Sequence, residues 1–557
     1  MASNNARLRV IPLGGLGEIG KNITVFEYQN DIIIVDCGLA FPDVGMPGVN
    51  LIIPDFSYLL RNSNRIRGLI LTHGHEDHIG AVGYLLRELK TKIYATKLTL
   101  CLLENKLREH HVYDPELLNC VKTGEIFKLG SFVIEFIHTN HSIPDSVAVA
   151  ISTPIGVIVH SGDFKVDYTP IQSESIDLQR FAELGRRGVL LFMCESTNIE
   201  SKGYSMSERN VGNMLDRIFQ DSPKQRIIIA TFSSNLDRIQ QIIDCSEKYK
   251  RKVTIVGRSM LNAASTAIEL GYMTVQKNTL VDPSQVKKYP AERLVIITTG
   301  SQGEESSALS RMAESEHKLI EILPNDKVII SATPIPGNEK SVSKVIDGLL
   351  NLGADVVYEK LMDVHVSGHA KQEELKLLHA LLKPTFFVPI HGEYRHLKQH
   401  CDMAINMGMK KSNVIILNIG DVLELDKVSA SRRGKIQTGE IMVDGSLNIN
   451  EVILRERKLL SDHGIMIIMF GIQKNAGQIL FGPEIITRGF TCIQQDSKIL
   501  DNIKKEILNA ILNDLKENLV GQSNAIKVII RDTSQMYLRK ELKCSPVILP
   551  IILELES

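Results

Sequence analysis

The sequence predicts an α/β protein in which one α/β domain is interrupted by another and followed by a small α+β tail. Three observations carry this expectation. Apolar strand patterns end repeatedly in His and Asp residues, as at 66–71 before His73 and 157–159 before Asp163. Between Asp163 and His391 lie 228 positions (391 − 163), too many for a loop within one compact domain, and that interval alternates strand and helix patterns of its own. After 426–434 the character changes again, to two apolar strand patterns around one long helix.

Taken in order, 8–13 reads as a strand, 22–28 as a second (Ile23, Val25, Phe26, Tyr28), and a turn at 29–31 joins it to 32–35. This meander decides the meaning of Gly15, Gly17 and Gly20, which match GxGxxG. A dinucleotide site would need a helix opening at Gly20 and an acidic residue about 20 positions on. The glycines are expected instead to let backbone pass close beneath a metal site. Residues 66–71 form a buried strand, and Ile79, Val82, Leu86 and Leu89 share one helical face after it. In the long interval, strands at 226–230, 252–256, 294–298 and 327–331 alternate with helices such as 235–249 and 338–352, the pattern of a parallel sheet. The chain returns with helix 373–382, strand 385–390 and helix 393–407. In the tail, strand patterns at 465–472 and 525–531 flank a helix at 496–518. The expected division is 1–210 and 358–430 for a discontinuous metal-binding domain, 211–357 for the insert, 431–449 for a linker and 450–557 for the tail.

Composition narrows the class. A chain of 557 residues can hold about three domains, each with its own core. Eight cysteines without a CxxC pair read as small buried hydrophobes in a reducing compartment. Residues 1–9 are polar, so no secretory signal is expected, and the longest apolar runs (464–472, 546–553) are too short to span a bilayer. A net charge of −1 argues against strong non-specific nucleic-acid binding unless basic residues concentrate along one groove.

The chemistry is concentrated in Leu71-Thr72-His73-Gly74-His75-Glu76-Asp77-His78, on a strand-to-helix loop. His73 and His75 can reach one metal, and Asp77 and His78 turn toward a second. Imidazole suits zinc and carboxylate suits harder ions, so the mixed set fits Zn or Mn. One loop cannot complete two sites. His141 lies in a turn-rich loop before strand 147–151, and Asp163 and His391 follow apolar strands at their carboxyl ends, where open α/β sheets place their sites. Together they make a seven-ligand pattern.

With these residues the chain resembles the metallo-β-lactamase superfamily and, within it, the β-CASP nucleases, closest to the bacterial ribonuclease J family. Residues 13–22, 36–38, 195–198 and 365–370 carry the resemblance further. It implies a metallo-β-lactamase αββα sandwich with an inserted β-CASP domain and an α+β C-terminal domain. It implies His73, His75 and His141 on one divalent ion, Asp77, His78 and His391 on the other, and Asp163 bridging. Zinc is the first choice of ion, with manganese or magnesium as alternatives. Asp36 would orient the histidine loop. Asp77, Glu195 and His369 would be catalytic. Ser233, Ser234 and Asn235, with His365, Val366, Ser367, Gly368 and His369, would cradle phosphates of the bound strand. Glu195 would hydrogen-bond His369 and set its tautomer; the family usually has Asp there.

The expected reaction is metal-assisted hydrolysis. A metal pair lowers the pKa of water toward roughly 7, and the departing 3′ oxygen needs a proton, for which His369 is the candidate. The resemblance further implies single-stranded RNA as substrate, 5′-to-3′ exonucleolysis from 5′-monophosphate ends with endonucleolytic cuts, and a role in RNA maturation and decay in the cytoplasm. It implies a homodimer or larger assembly, with a paralogue as a further partner. Three alternatives stay open. A DNA-directed β-CASP nuclease would share every ligand. A small-molecule hydrolase would lack the insert and 365–370. A non-catalytic partner subunit would be expected to have lost ligands. Of the remaining histidines, His396 and His400 are expected on a solvated helix face, and His138 and His160 close to the site.

Overall fold

The computed structural model describes residues 7–42, 45–171, 174–304, 306–334, 338–358, 362, 364–445, 447–473, 479–489, 497–517 and 523–555. The metal-binding part is built on two sheets. The first runs, edge to edge, Ala430–Lys435, Asp421–Leu425, Leu8–Gly14, Ile23–Tyr28, Asp31–Val35, Ile66–Ile70, Ile93–Ala95 and Leu118–Cys120. The expected meander is its centre, with both Leu8–Gly14 and Asp31–Val35 antiparallel to Ile23–Tyr28. The second runs Phe386–Ile390, Val189–Glu195, Gly156–His160, Val147–Thr153, Phe132–His138 and Ile126–Leu129. Side chains of a strand alternate between its two faces, and the second sheet shows this directly. Val149, Ile151, Leu191 and Met193 meet Val10, Phe26, Ile33 and Ile70 of the first sheet in one core. Ala148, Ala150, Phe192 and Cys194 face the other way, against Phe181, Leu184, Leu375, Leu378 and Met403 of the covering helices.

Topology places the site. Gly156–His160, Val189–Glu195 and Phe386–Ile390 are mutually parallel, so their carboxyl ends lie side by side. Asp31–Val35 and Ile66–Ile70 are likewise parallel neighbours. The loops after these strands carry Asp163, His391, Asp36 and the histidine motif, and Glu195 is the last residue of Val189–Glu195.

The insert holds a five-stranded, all-parallel sheet in the order Lys252–Val256, Leu294–Thr298, Ile227–Ala230, Lys327–Ile330, Asp355–Tyr358. The first four match the expected strands within a residue, and the last was not foreseen. Ile227, Ile229, Val295 and Ile297 pack into a core on one face, Ile228, Ala230 and Ile296 on the other, as a sheet covered on both sides requires. Helices Leu236–Lys248 and Glu339–Asn351 stand where the periodicity placed them. Residues 431–449, expected as a linker, hold strand Ala430–Lys435 of the first sheet and the hairpin Glu440–Asp444/Leu447–Ile449.

A second compact unit comprises 41–52 and 441–557. Its sheet runs Ile479–Arg488, Ile465–Gln473, Val547–Leu555, with helix Ser497–Glu517 at the predicted place; residues 496 and 518 lie outside the described set. One expectation fails here. Residues 525–531, read as a strand, belong to helix Ser523–Leu542. The β-branched run Val528-Ile529-Ile530 suggested a strand, but Ile526, Ile530, Ser534 and Leu538 are buried at a spacing of four while Val528 is half exposed, and that is a helical stripe.

His396 and His400 also depart from expectation: both are buried, not solvated. His400 Nδ1 lies 3.0 Å from Ser196 Oγ and its Nε2 lies 3.2 Å from His379 Nε2, under the second sheet. A four-residue spacing on a helix fixes a shared face but not which face is covered. Of the cysteines, Cys120 is exposed and Cys101 half-buried, Cys37, Cys194, Cys245, Cys401 and Cys544 are buried, and Cys492 lies outside the described residues. Among the described residues, no helix is long and apolar enough to cross a membrane.

Candidate metal centre

All seven expected donors converge. Two clusters form, His73/His75/His141 and Asp77/His78/Asp163/His391, each with its donor atoms within 4.8 Å of one another. Local structure explains how each donor is aimed. His73 and His75 lie on the loop after Ile66–Ile70, and Asp77 and His78 on the short helix Glu76–Ile79 that follows. Asp36, expected to orient this loop, accepts the Thr72 N–H at 2.8 Å and its hydroxyl at 3.0 Å, and lies 2.7 Å from His78 Nδ1. His78 therefore donates from Nδ1. Burial lowers the ring, but the Asp163, Asp77 and Asp36 carboxylates outweigh it and hold His78 well above the usual range, so Nε2 becomes a ligand by giving up its proton as a cation arrives. Thr72 Oγ1, already donating to Asp36, accepts from His73 Nδ1 at 3.0 Å and leaves the His73 Nε2 lone pair for a ligand. His141 Nδ1 donates to the Gly368 carbonyl at 2.7 Å, freeing its Nε2.

The trio has a donor set that fits a cation. His75 Nδ1 lies 3.0 Å from His73 Nε2 and 3.2 Å from His141 Nε2, and the latter two are lone-pair nitrogens. One proton on His75 cannot satisfy both. Burial and the neighbouring rings push His73 and His141 well below the usual histidine range and His75 to about 4, so all three are the neutral imidazoles that metal binding needs. The quartet is arranged around one atom. Asp163 Oδ2 lies 3.2 Å from His78 Nε2 and 3.2 Å from His391 Nε2, and 3.8 and 3.9 Å from the Nε2 atoms of His73 and His141. Burial raises the Asp163 carboxyl, but His391 and His78 outweigh it and hold it well below the usual range. Both ring nitrogens of His391 are buried, Nδ1 without a hydrogen-bond partner and Nε2 facing the Asp163 and Asp77 carboxylates, and its backbone sits in the left-handed region at φ 50°. A non-glycine residue there is strained by about 1–3 kcal/mol, which the surroundings must impose. Ser196 N–H and Thr197 Oγ1 both donate to its carbonyl, at 3.2 and 3.1 Å.

Beside the clusters, His369 Nδ1 lies 2.9 Å from Glu195 Oε2 and 3.9 Å from Asp163 Oδ2. The Glu195–His369 contact is thus made with the longer side chain. Glu195 is buried, and its Oε1 accepts from Phe164 N–H at 3.2 Å. Burial pulls the His369 imidazolium down, but the Glu195 carboxylate and the charges of Asp163 and Asp77 more than offset this and hold it at about 9.

The phosphate segments also meet. Loop 364–369 leaves the insert, where Val364 and Val366 lie in its core, and ends against the metal clusters. Val366 therefore has only backbone to offer a ligand. Buried Arg238 donates to the Val364 carbonyl at 3.2 Å and to Ser331 Oγ at 2.6 Å, and pairs with Glu208. His365 packs near Phe232, ring centres 6.4 Å apart, and burial with the Arg238 charge pushes it down to about 3, a neutral ring. Ser367 Oγ accepts the His369 N–H at 3.1 Å. Gly368 is required by a close approach: a Cβ there would lie 2.9 Å from His141 Cε1 and from Ser142 Cβ. Ser233 and Ser234 are half-buried at the carboxyl end of Ile227–Ala230, and Asn235 caps the following helix, accepting the Arg238 N–H at 3.0 Å. His160 is buried next to the centre, with Nδ1 accepting the Gly162 N–H, whereas His138 points to the Glu174 carbonyl away from it. Two residues that the motif does not flag touch the ligands: Thr72, foreshadowed by its place just before His73, and Asn22, which closes the glycine run.

Comparison with known proteins agrees with this architecture piece by piece. Residues 16–177 match the model of the metallo-beta-lactamase superfamily, 224–349 the ribonuclease J beta-CASP domain, 354–417 the Zn-dependent metallo-hydrolase RNA specificity domain, and 452–555 the ribonuclease J C-terminal domain. A solved structure of a protein of unknown function from Enterococcus faecalis shares the fold, with TM-score 0.53 at 16% identity over 77% of this chain and all of that one. Ribonuclease J of Synechocystis is 41% identical over 97% of this chain and 86% of its own length, and that of Thermus thermophilus 40% over 98% and 95%. Ribonuclease J2 of Bacillus subtilis is 39% identical over 99% of both chains. With relatives this similar along its whole length, the chain belongs to the ribonuclease J family of metal-dependent ribonucleases.

Proposed function

We propose that this ribonuclease degrades single-stranded RNA 5′ to 3′ from 5′-monophosphate ends and also cuts internally, using two divalent ions. Zinc is the first choice for these ions, with manganese or magnesium able to substitute. The observation that carries the reading is Asp163 Oδ2, a single oxygen set between a three-histidine cluster and a mixed Asp/His cluster. We assign His73, His75 and His141 to one ion and Asp77, His78 and His391 to the other, with Asp163 shared. A divalent pair bound there neutralises charge on the phosphoryl oxygens and lowers the pKa of water toward roughly 7.

The chain's own residues supply the rest. Asp77, with 30% of its side chain exposed, is the quartet member able to orient a water arriving from solvent. His369 gives its Nδ1–H to Glu195, so Nε2 is the nitrogen that delivers a proton to the departing 3′ oxygen. Ser233, Ser234 and Asn235, with His365 to His369, line the path from insert to metal clusters and are read as the phosphate cradle. A 5′-monophosphate held there would fix the scissile bond one step away, which supports the exonucleolytic reading.

The domain division is read as 1–210 with 358–430 for the metal-binding domain, 211–357 for the insert and 450–557 for the tail. The tail is read as an assembly element, in a homodimer or larger oligomer or with a paralogue. Cys37, Cys101, Cys120, Cys194, Cys245 and Cys401 form no disulfide with one another, which supports the cytoplasm as compartment. The deciding experiment compares one strand as 5′-monophosphate RNA, 5′-triphosphate RNA and DNA, with and without Mn²⁺. Rapid processive loss of the first alone is expected; equal loss of the DNA strand would sink the RNA assignment.

A further inference from the structure

The early glycine run has no part in the chemistry above, yet it touches three of the four residues in the mixed cluster. Asn22 is 8% exposed, and its Nδ2 lies 3.1 Å from the Asp77 carbonyl, 3.5 Å from Asp77 Oδ2 and 3.2 Å from His78 Nε2. The reverse orientation of the amide would set Oδ1 against the same acceptors. At the other end of the run, the Gly15 carbonyl accepts the His391 N–H at 3.0 Å, and Leu16–Gly17 pairs in parallel with Gly392–Glu393. That pairing holds His391 in its left-handed conformation. Gly15 itself has φ +76°, and a Cβ there would lie 2.3 Å from Asn22 Oδ1, so the glycine makes room for the amide. Among the described residues, the hydrogen bonds of 14–22 reach Asp77, His78 and His391 and none reaches His73, His75 or His141.

We propose that residues 14–22 are a clamp that assembles the Asp77/His78/Asp163/His391 site alone, and that Asn22 is its positioning residue. The inference rests on the two-metal reading above. Asp36 engages Nδ1 of His78, and the Asn22 amide stands against the Nε2 edge of the ring and the Asp77 carbonyl, so the ring plane and the helix end are both set before a cation arrives. The amide anchors on the Asp77 carbonyl, which sets that helix end against the glycine run. Groups that orient metal ligands in this way change affinity by about ten- to a hundredfold when removed.

The test counts ions. Wild type, Asn22→Leu, His75→Ala and the double variant would be dialysed to equilibrium against Mn²⁺ and measured for metal per folded chain. Leucine keeps the branched outline of asparagine and removes both amide groups; Asn22→Ser, which cannot reach Asp77, replaces it if the first variant does not fold. The expected counts are two, one, one and none, with the lost step weakened about tenfold or more and the retained step unchanged. Two ions on Asn22→Leu at wild-type affinity would overturn the clamp. One ion on the double variant would overturn its assignment to the mixed cluster. Fewer than two ions on wild type would instead fail the two-metal reading, so the two failures are distinguishable.

Discussion

Replacing His369 by alanine tests the proton-donor assignment most directly. Its Nδ1 is engaged by Glu195 at 2.9 Å, so truncation removes Nε2, the nitrogen proposed to deliver the proton, and leaves a buried carboxylate without its partner. General-acid groups contribute about 10²- to 10⁴-fold to rate, and kcat should fall in that range while RNA affinity changes by less than about tenfold. The pH profile adds a second readout. The value of about 9 lies above the ordinary 6.5, so the acid is present at low pH and lost as pH rises through it. At pH 8 a group of pKa 9 is about nine-tenths protonated, against about 3% at the ordinary value. Cations bound beside it pull this downward, so the alkaline limb of the loaded enzyme lies at or below 9. Glu195→Gln removes the strongest stabiliser of the imidazolium and should move that limb toward neutral pH with the acid limb unmoved. Single-turnover cleavage of a 5′-monophosphate RNA, with binding measured separately, reads both effects. If His369→Ala loses binding but keeps its single-turnover rate, or if Glu195→Gln leaves the alkaline limb in place, His369 is not the acid.

Further outcomes follow from the same geometry. His75→Ala or Asp163→Ala should abolish hydrolysis with the far-UV spectrum unchanged, and full activity after exhaustive chelation would contradict the metal assignment. Gly368→Ala puts a Cβ 2.9 Å from His141 Cε1, so activity should fall about a hundredfold with little change in melting temperature. Ile530→Ala, at a fully buried position, should cost about 2–5 kcal/mol in the tail's unfolding, and Val528→Ala should cost well under 1; equal losses would speak for a strand. Truncation after Asp444 keeps every candidate ligand and should shift the protein toward monomer in light scattering and slow degradation of long RNA. Unchanged size and activity would remove the tail from assembly.

The sequence by itself determined the parts whose information is local. Apolar runs marked some strands of both sheets, 8–13, 22–28, 32–35 and 66–71 in the first and 147–151, 157–159 and 385–390 in the second, and a metal loop six residues long announced donor types and chemistry together. The length of the interval between Asp163 and His391 required an inserted domain, because a chain that long cannot stay structureless inside a compact one. Where local signals conflicted, the reading failed: 525–531 has strand-forming residues, and only packing of Ile526, Ile530 and Leu538 into one core makes it helix. The tertiary structure alone decided everything that depends on which distant groups meet. Asp36 and His78 are 42 positions apart, Asn22 and Asp77 are 55, and His141 and Gly368 are 227, yet these pairs set tautomers, lone pairs and the room around the clusters. The burial of His396 and His400 and the left-handed backbone of His391 belong to the same class. A residue's type fixes what it can donate or accept. Its partner, and hence its protonation and aim, is fixed by the packing of strands whose order no short window of sequence contains.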